Sequence, residues 1–307
     1  MKILKELNPE DLIFFDIETA SVVDKLEIDS PLFDSWAYKK RRGGEDITDE
    51  EVVDSYFKEA GLFPEFARIV SIVIGFVRDD KLYLNSYDDL DEKVLLEKFH
   101  NDIGLIYANK GKYTKLCGFA NKGFDSPFVF KRSIINGVEY HDIFDVGGLK
   151  PWELTEVDLK EVWKGTSWNT ASLLNIATAF GLPSPKDDIS GADVGKVFWK
   201  EGVERITEYC KRDVVTTCHI FQKMRGDDKL WEIRKTVKKE KPGILEYLYN
   251  GGKYNKKIED KLEKALKKMS KVDRERAKEI LLAIPANTKS RTAFLTKNHI
   301  ETLCQEK

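Results

Sequence analysis

Apolar positions along the chain fall into runs of two periods. Leu12 to Ile17 is almost continuously apolar and short, the pattern of a strand buried on both faces, yet Asp16 lies inside it and Glu18 follows. RIVSIVIGFV (68–77) predicts a second strand, LYLNSY (82–87) a third after a turn at DDK (79–81), and KLCGFA (115–120) a fourth. Helical spacing appears in Val94, Leu95, Phe99, Ile103 and Ile106, in SLLNIATAFG (172–181), and in the long amphipathic stretch 203–225. SPFVFKRSIING (126–137) predicts a helix with Ser126 as N-cap, Pro127 in the first turn and Gly137 as the stop. Residues 20–66 carry helix-like segments inserted after the first strand. In the tail, Ile258, Leu262, Leu266 and Met269 share one helical face, and Ala277, Ile280, Leu281 and Ile284 another. The expected architecture is α/β, a mixed β-sheet flanked by helices, over residues 1–225, with a basic helical C-terminal region over 226–307.

Composition sharpens that division. Residues 1–222 hold 28 Lys and Arg against 40 Asp and Glu, whereas 223–307 hold 23 against 13, so a net charge of −2 conceals an acidic part and a basic part. A basic part suits a polyanion, although from charge alone a solvated helical face is the plainer reading. No apolar run is long enough to span a membrane and the first residues lack an apolar signal core, so the expectation is a cytoplasmic protein without a membrane partner. Four cysteines without CxxC pairing and four histidines without zinc spacing predict free thiols and no zinc site. Trp152, Trp163 and Trp168 cluster in sequence; tryptophans in a large domain are more often core, and no role is assigned to them.

The stretch LIFFDIET (12–19) carries the chemical question. Residues i and i+2 of a strand point to one face, so Asp16 and Glu18 crowd together where charge is costly. A divalent cation relieves such crowding, and all-oxygen ligands favour Mg²⁺ or Mn²⁺. Further carboxylates stand in GFDSPF, with Asp125 between a strand and a helix start, and in EYCKRDV, where Tyr209 and Asp213 are four apart on one helix. Singly each has a plain reading: Asp125 as a cap, Asp213 as a solvated residue, Tyr209 as core, Glu18 as the end of its strand. Their order along the chain favours one site.

FFDIET, GFANKGFDSPFVFKR and ITEYCKRDVVTT resemble the three motifs of the DEDD superfamily of 3′-5′ exonucleases, which have a ribonuclease H-like fold. The chain looks most like stand-alone relatives of the proofreading domain of family B DNA polymerases, over roughly residues 10–222. Tyrosine at 209, with Glu at 208, is similar to the tyrosine class. Relatives commonly carry asparagine where Ala120 stands; here Asn121 lies one place later.

The resemblance implies metal-dependent hydrolysis at the 3′ end of single-stranded DNA with two Mg²⁺ or Mn²⁺ ions. Asp16, Glu18 and Asp213 would hold one ion, Asp16 and Asp125 the other, and Tyr209 would orient the attacking water. Substrate contacts are expected from Phe124, Asn121 and the cations Lys39, Lys40, Arg41 and Arg42. A separate polymerase or replication protein is a candidate partner. The alternatives are an RNA 3′-end exoribonuclease, an idle nucleic-acid-binding module and a small-molecule phosphohydrolase; the full set of carboxylates disfavours the idle module, and the basic segments favour a polymer.

Overall fold

Strand β1 (Leu12–Ser21) is the axis of the sheet. It pairs antiparallel with β2 (Ala67–Arg78), which turns into β3 (Lys81–Asp88). The turn residues Asp79 and Asp80 both have positive φ, as a two-residue hairpin turn with the twist of its strands requires. On the other side β4 (Lys115–Gly118) runs parallel to β1, and β5 (Val157–Asp158) parallel to β4. A short strand after the last helix, β6 (Glu232–Arg234), adds parallel to β3, giving six strands in the order β5-β4-β1-β2-β3-β6. This computed structural model describes residues 2–42, 46–111, 113–185 and 189–234, with Leu262. The chain divides into two compact units, Met1–Thr236 and Val237–Lys307. Apart from buried Leu262, the tail helices expected over 258–284 lie outside the described residues.

Alternation along β1 sorts the core into two layers. Leu12 and Phe14 face α9 (Glu204–Arg225), packing with Val73, Cys210, Val214, Cys218 and Phe221. Ile13, Phe15 and Ile17 face the opposite way, toward α4 (Glu92–Lys110) and α5 (Asp125–Ile135), among Leu95, Phe99, Ile103 and Phe128. Gly75 lets α9 lie close to the sheet, because a Cβ there would stand 3.0 Å from Val214 Cγ1. The mixed sheet covered on both faces by helices is consistent with a ribonuclease H-like exonuclease fold.

A one-turn helix, α1 (Lys2–Lys5), precedes β1, and residues inserted between β1 and β2 form a helical pair with its own core. Helices α2 (Pro31–Arg41) and α3 (Asp49–Glu59) start at the caps Ser30 and Thr48 and enclose Phe33, Trp36, Val52 and Tyr56. The pair returns to the sheet at a turn where the Thr19 hydroxyl donates to the Gly61 carbonyl at 2.6 Å. Short helices α6 (Leu159–Lys164) and α7 (Leu173–Ala179), then α8 (Val194–Glu201), lead into α9, with α8 packing on Ala20 and Val70.

Two expectations need correction. The three clustered tryptophans, for which the core was the commoner reading, are exposed, by 76% at Trp152, 41% at Trp163 and 91% at Trp168. They occupy the connection around β5 and α6, at the edge of the sheet, where Trp163 packs on Phe180 and Trp152 and Trp168 are open to solvent. Ser126 does not cap α5: the helix begins at Asp125, and the Ser126 hydroxyl is used elsewhere, donating to Glu156.

Candidate active site

Pairing between β1 and β4 stops at Phe14 and Cys117, so from Asp16 onward β1 has a free edge. Helix α5 starts there, and the Ile17 N–H, lacking a strand partner, donates to Asp125 Oδ1 at 3.0 Å. Opposite Glu18 the β1–β2 register shifts, leaving Val70 as an extra residue, the kind of irregularity that bends a strand beside a site. From above, α9 presents Tyr209, Cys210 and Asp213, which share a face because they are three and four residues apart.

These elements bring Asp16, Glu18, Asp125 and Asp213 into one electrostatic cluster. The Asp16 carboxyl is raised well above the usual range by burial, then by Asp125, Glu18 and Asp213. Glu18, also buried, is raised by desolvation and by Asp213 and Asp125. Asp125 is pushed up to about 7 by burial, against the opposing pull of the Ile17 N–H and its own N–H. Tyr209 is nearly buried and hydrogen-bonded to Asp213; burial and then the neighbouring carboxylates push its hydroxyl pKa upward. It is therefore a proton-bearing donor near neutral pH, not a base.

Cys210 is a member of the site that the sequence did not single out. Its thiol donates to Asp16 Oδ2 and to the Asp16 carbonyl, both at 3.3 Å. The signal was available in its position three residues before Asp213 on an amphipathic helix. Ligand atoms of Asp16, Glu18 and Cys210 lie within 4.8 Å of one another. Burial and the neighbouring carboxylates raise the thiol pKa, so Cys210 is a proton donor to Asp16. Buried Glu156 and Asp158 were also missed; Asp158 carried a signal as the N-cap of α6, three residues before Glu161, whereas Glu156 just before β5 carried none.

The expected substrate contacts are placed less uniformly. Phe124 precedes Asp125 half-buried, its ring 5.2 Å from that of Phe128. Asn121 is fully buried, with its amide on Glu156. Lys39 lies 3.8 Å over the Phe63 ring, Lys40 pairs with Glu59 at 2.6 Å and Arg41 with Asp49 at 2.6 Å, so three of the cations brace the inserted helices. Arg42 is exposed and borders a shallow groove of about 330 Å³ with Phe33, Ala37 and Tyr38.

A family model described as a predicted 3′-5′ exonuclease related to the exonuclease domain of PolB matches residues 62–257. That span includes Asp125, Tyr209 and Asp213 and starts after the strand that carries Asp16 and Glu18. No curated protein matches the chain.

Proposed function

The chain belongs to the family of predicted 3′-5′ exonucleases related to the exonuclease domain of PolB, and from that premise we propose that it removes nucleotides from the 3′ end of single-stranded DNA by a two-metal mechanism. Membership supports exonuclease activity on a nucleic acid. The observation that carries the finer reading is the cluster of Asp16, Glu18, Asp125 and Asp213, in which Asp125 and Asp213 raise the carboxyls of both Asp16 and Glu18.

The cluster fits divalent cations. Burying charge on Asp16, Glu18 and Asp125 costs several kcal/mol each, which the two N–H groups on Asp125 and the thiol on Asp16 offset only in part. An oxygen donor set with its one nearby thiol kept protonated is suited to Mg²⁺ or Mn²⁺ rather than zinc. Asp16, Glu18 and Asp213 would hold one ion, and Asp16 with Asp125 the other. When bound, the ions supply a water of lowered pKa and positive charge at the leaving 3′ oxygen.

The chain's own groups do the positioning. The Tyr209 hydroxyl, held by Asp213 and kept protonated, orients the attacking water. The Ile17 N–H fixes one oxygen of Asp125, and the Cys210 thiol fixes one oxygen of Asp16. Phe124 offers a ring beside the cluster for the terminal base, and Arg42 with exposed Tyr38 offers a cation and a ring for the strand behind it.

A gel assay with 5′-labelled single-stranded DNA and matched RNA, in Mg²⁺, Mn²⁺ or EDTA, tests the proposal. Metal-dependent shortening of DNA from its 3′ end, lost in Asp16→Ala, is the expected result. Preferential shortening of the RNA would replace DNA by RNA as substrate, and no shortening of either by folded, metal-supplied protein would overturn the proposal.

A further inference from the structure

Glu156 is not one of the four clustered carboxylates, although its charge bears on Asp125, and packing alone gives no reason for a carboxylate there. It is 8% exposed. Its Oε2 accepts from Asn121 Nδ2 at 2.6 Å and from the Ser126 hydroxyl at 2.8 Å. Its Oε1 is buried without a hydrogen-bond partner, as is Asn121 Oδ1. Two residues later, Asp158 Oδ1 accepts from the Ala120 N–H at 3.0 Å, and Oδ2 from the Lys122 N–H at 3.4 Å. Both acidic side chains thus grip the loop Phe119–Phe124 that joins β4 to α5.

That loop is held in a costly conformation. Ala120 has φ of 68°, a region that residues with a Cβ seldom occupy. Gly118 is required before it, since a Cβ there would lie 2.7 Å from Asn121 Cβ. Such strain persists only where the surroundings over-determine the backbone. The loop delivers Asp125, whose other fixed point is the Ile17 N–H on β1.

We infer that Glu156 is a positioning residue for Asp125. It grips Asn121 ahead of the α5 start and Ser126 just inside it, and so fixes the backbone from which the Asp125 carboxylate reaches β1. The inference rests on the exonuclease reading in taking Asp125 as a metal ligand. Partners one shell out from ligands commonly govern metal affinity by 10-fold or more. The accepting oxygen, not the charge, makes both bonds. Glu156→Gln can keep them and puts a donor where the unpartnered Oε1 stands, while Glu156→Ala removes both.

The test measures Mn²⁺ affinity from the electron paramagnetic resonance of free Mn²⁺, together with melting temperature, kcat and KM. Glu156→Ala is expected to weaken Mn²⁺ binding by roughly 10-fold and to lower kcat more than it raises KM. Glu156→Gln should restore both to near the parent values. A Glu156→Ala protein that melts earlier but binds Mn²⁺ and turns over like the parent would show a merely structural role and overturn the inference. If Glu156→Ala does not fold, Ser126→Ala removes one of the two grips and should show the same weakening in smaller measure; unchanged Mn²⁺ affinity there also overturns it. A parent that binds Mn²⁺ without shortening any nucleic acid would end the exonuclease reading, and the Mn²⁺ affinities of the variants would still decide the role of Glu156.

Discussion

At the scale of single residues, folding sets protonation where composition is silent. His100 on α4 is 6% exposed, with Nε2 2.9 Å from Ser133 Oγ. The Ser133 hydroxyl donates to the Val129 carbonyl at 2.7 Å, which assigns the imidazole proton to Nε2. Burial, then the neighbouring His141, hold the His100 pKa down to about 4. Because charging His100 is penalised in the folded state alone, its contribution is complete above the ordinary value of about 6.5 and is lost as pH falls toward 4. That loss is on the order of 3 kcal/mol at the most acidic end. Urea unfolding from pH 7 down to 4 should show it in the parent, with a shallower decline in His100→Gln; parallel declines would refute the assignment. None of this was legible in the sequence, where His100 is one polar residue on a helix.

Elements are joined by a buried ion pair that is equally invisible in one dimension. Glu92 opens α4, Arg132 lies on α5, and both are nearly excluded from water. Glu92 Oε1 accepts from the Ile69 N–H of β2 at 2.7 Å and from Arg132 Nε at 2.9 Å, and Arg132 Nη1 donates to the Pro64 carbonyl at 2.8 Å. Two helices, a central strand and the end of the helical insertion meet at this pair. Removing one partner strands a buried charge, so Glu92→Ala should cost about 3–5 kcal/mol by denaturant unfolding. Glu92→Met with Arg132→Leu should cost less than Glu92→Ala alone; a single substitution costing under about 1 kcal/mol would show the pair to be dispensable. By contrast β2, α4 and α9 were read closely from periodicity, because each buries one whole face or both, and β3 was read from the turn that precedes it. Strands β5 and β6 were not, being too short to show a period.

For the whole molecule the balance to be tested is between the carboxylate cluster and the core around it. Without cations the cluster subtracts from stability; a ligand that binds the folded state alone adds about 2.7 kcal/mol at 100 times its Kd. Millimolar Mg²⁺ or Mn²⁺ should therefore raise the melting temperature of the parent and leave Asp16→Ala nearly unmoved. A parent melting temperature indifferent to both ions would count against the metal site. Among the described residues no helix is long and apolar enough to cross a membrane.

The sequence by itself determined the continuous apolar run that makes β1 a strand buried on both faces, the amphipathic face of α9, and the three short segments that hold Asp16, Glu18, Asp125, Tyr209 and Asp213. Those features are local: strand and helix periods and fixed spacings survive in one dimension. Only the tertiary structure decided that Cys210 donates to Asp16, that Glu156 and Asp158 grip the loop before Asp125, that Trp36 is buried while Trp168 is open, and that most of the 39–42 cations brace α2. Each of these depends on which residues distant in sequence share a face, and that is fixed by packing rather than by spacing.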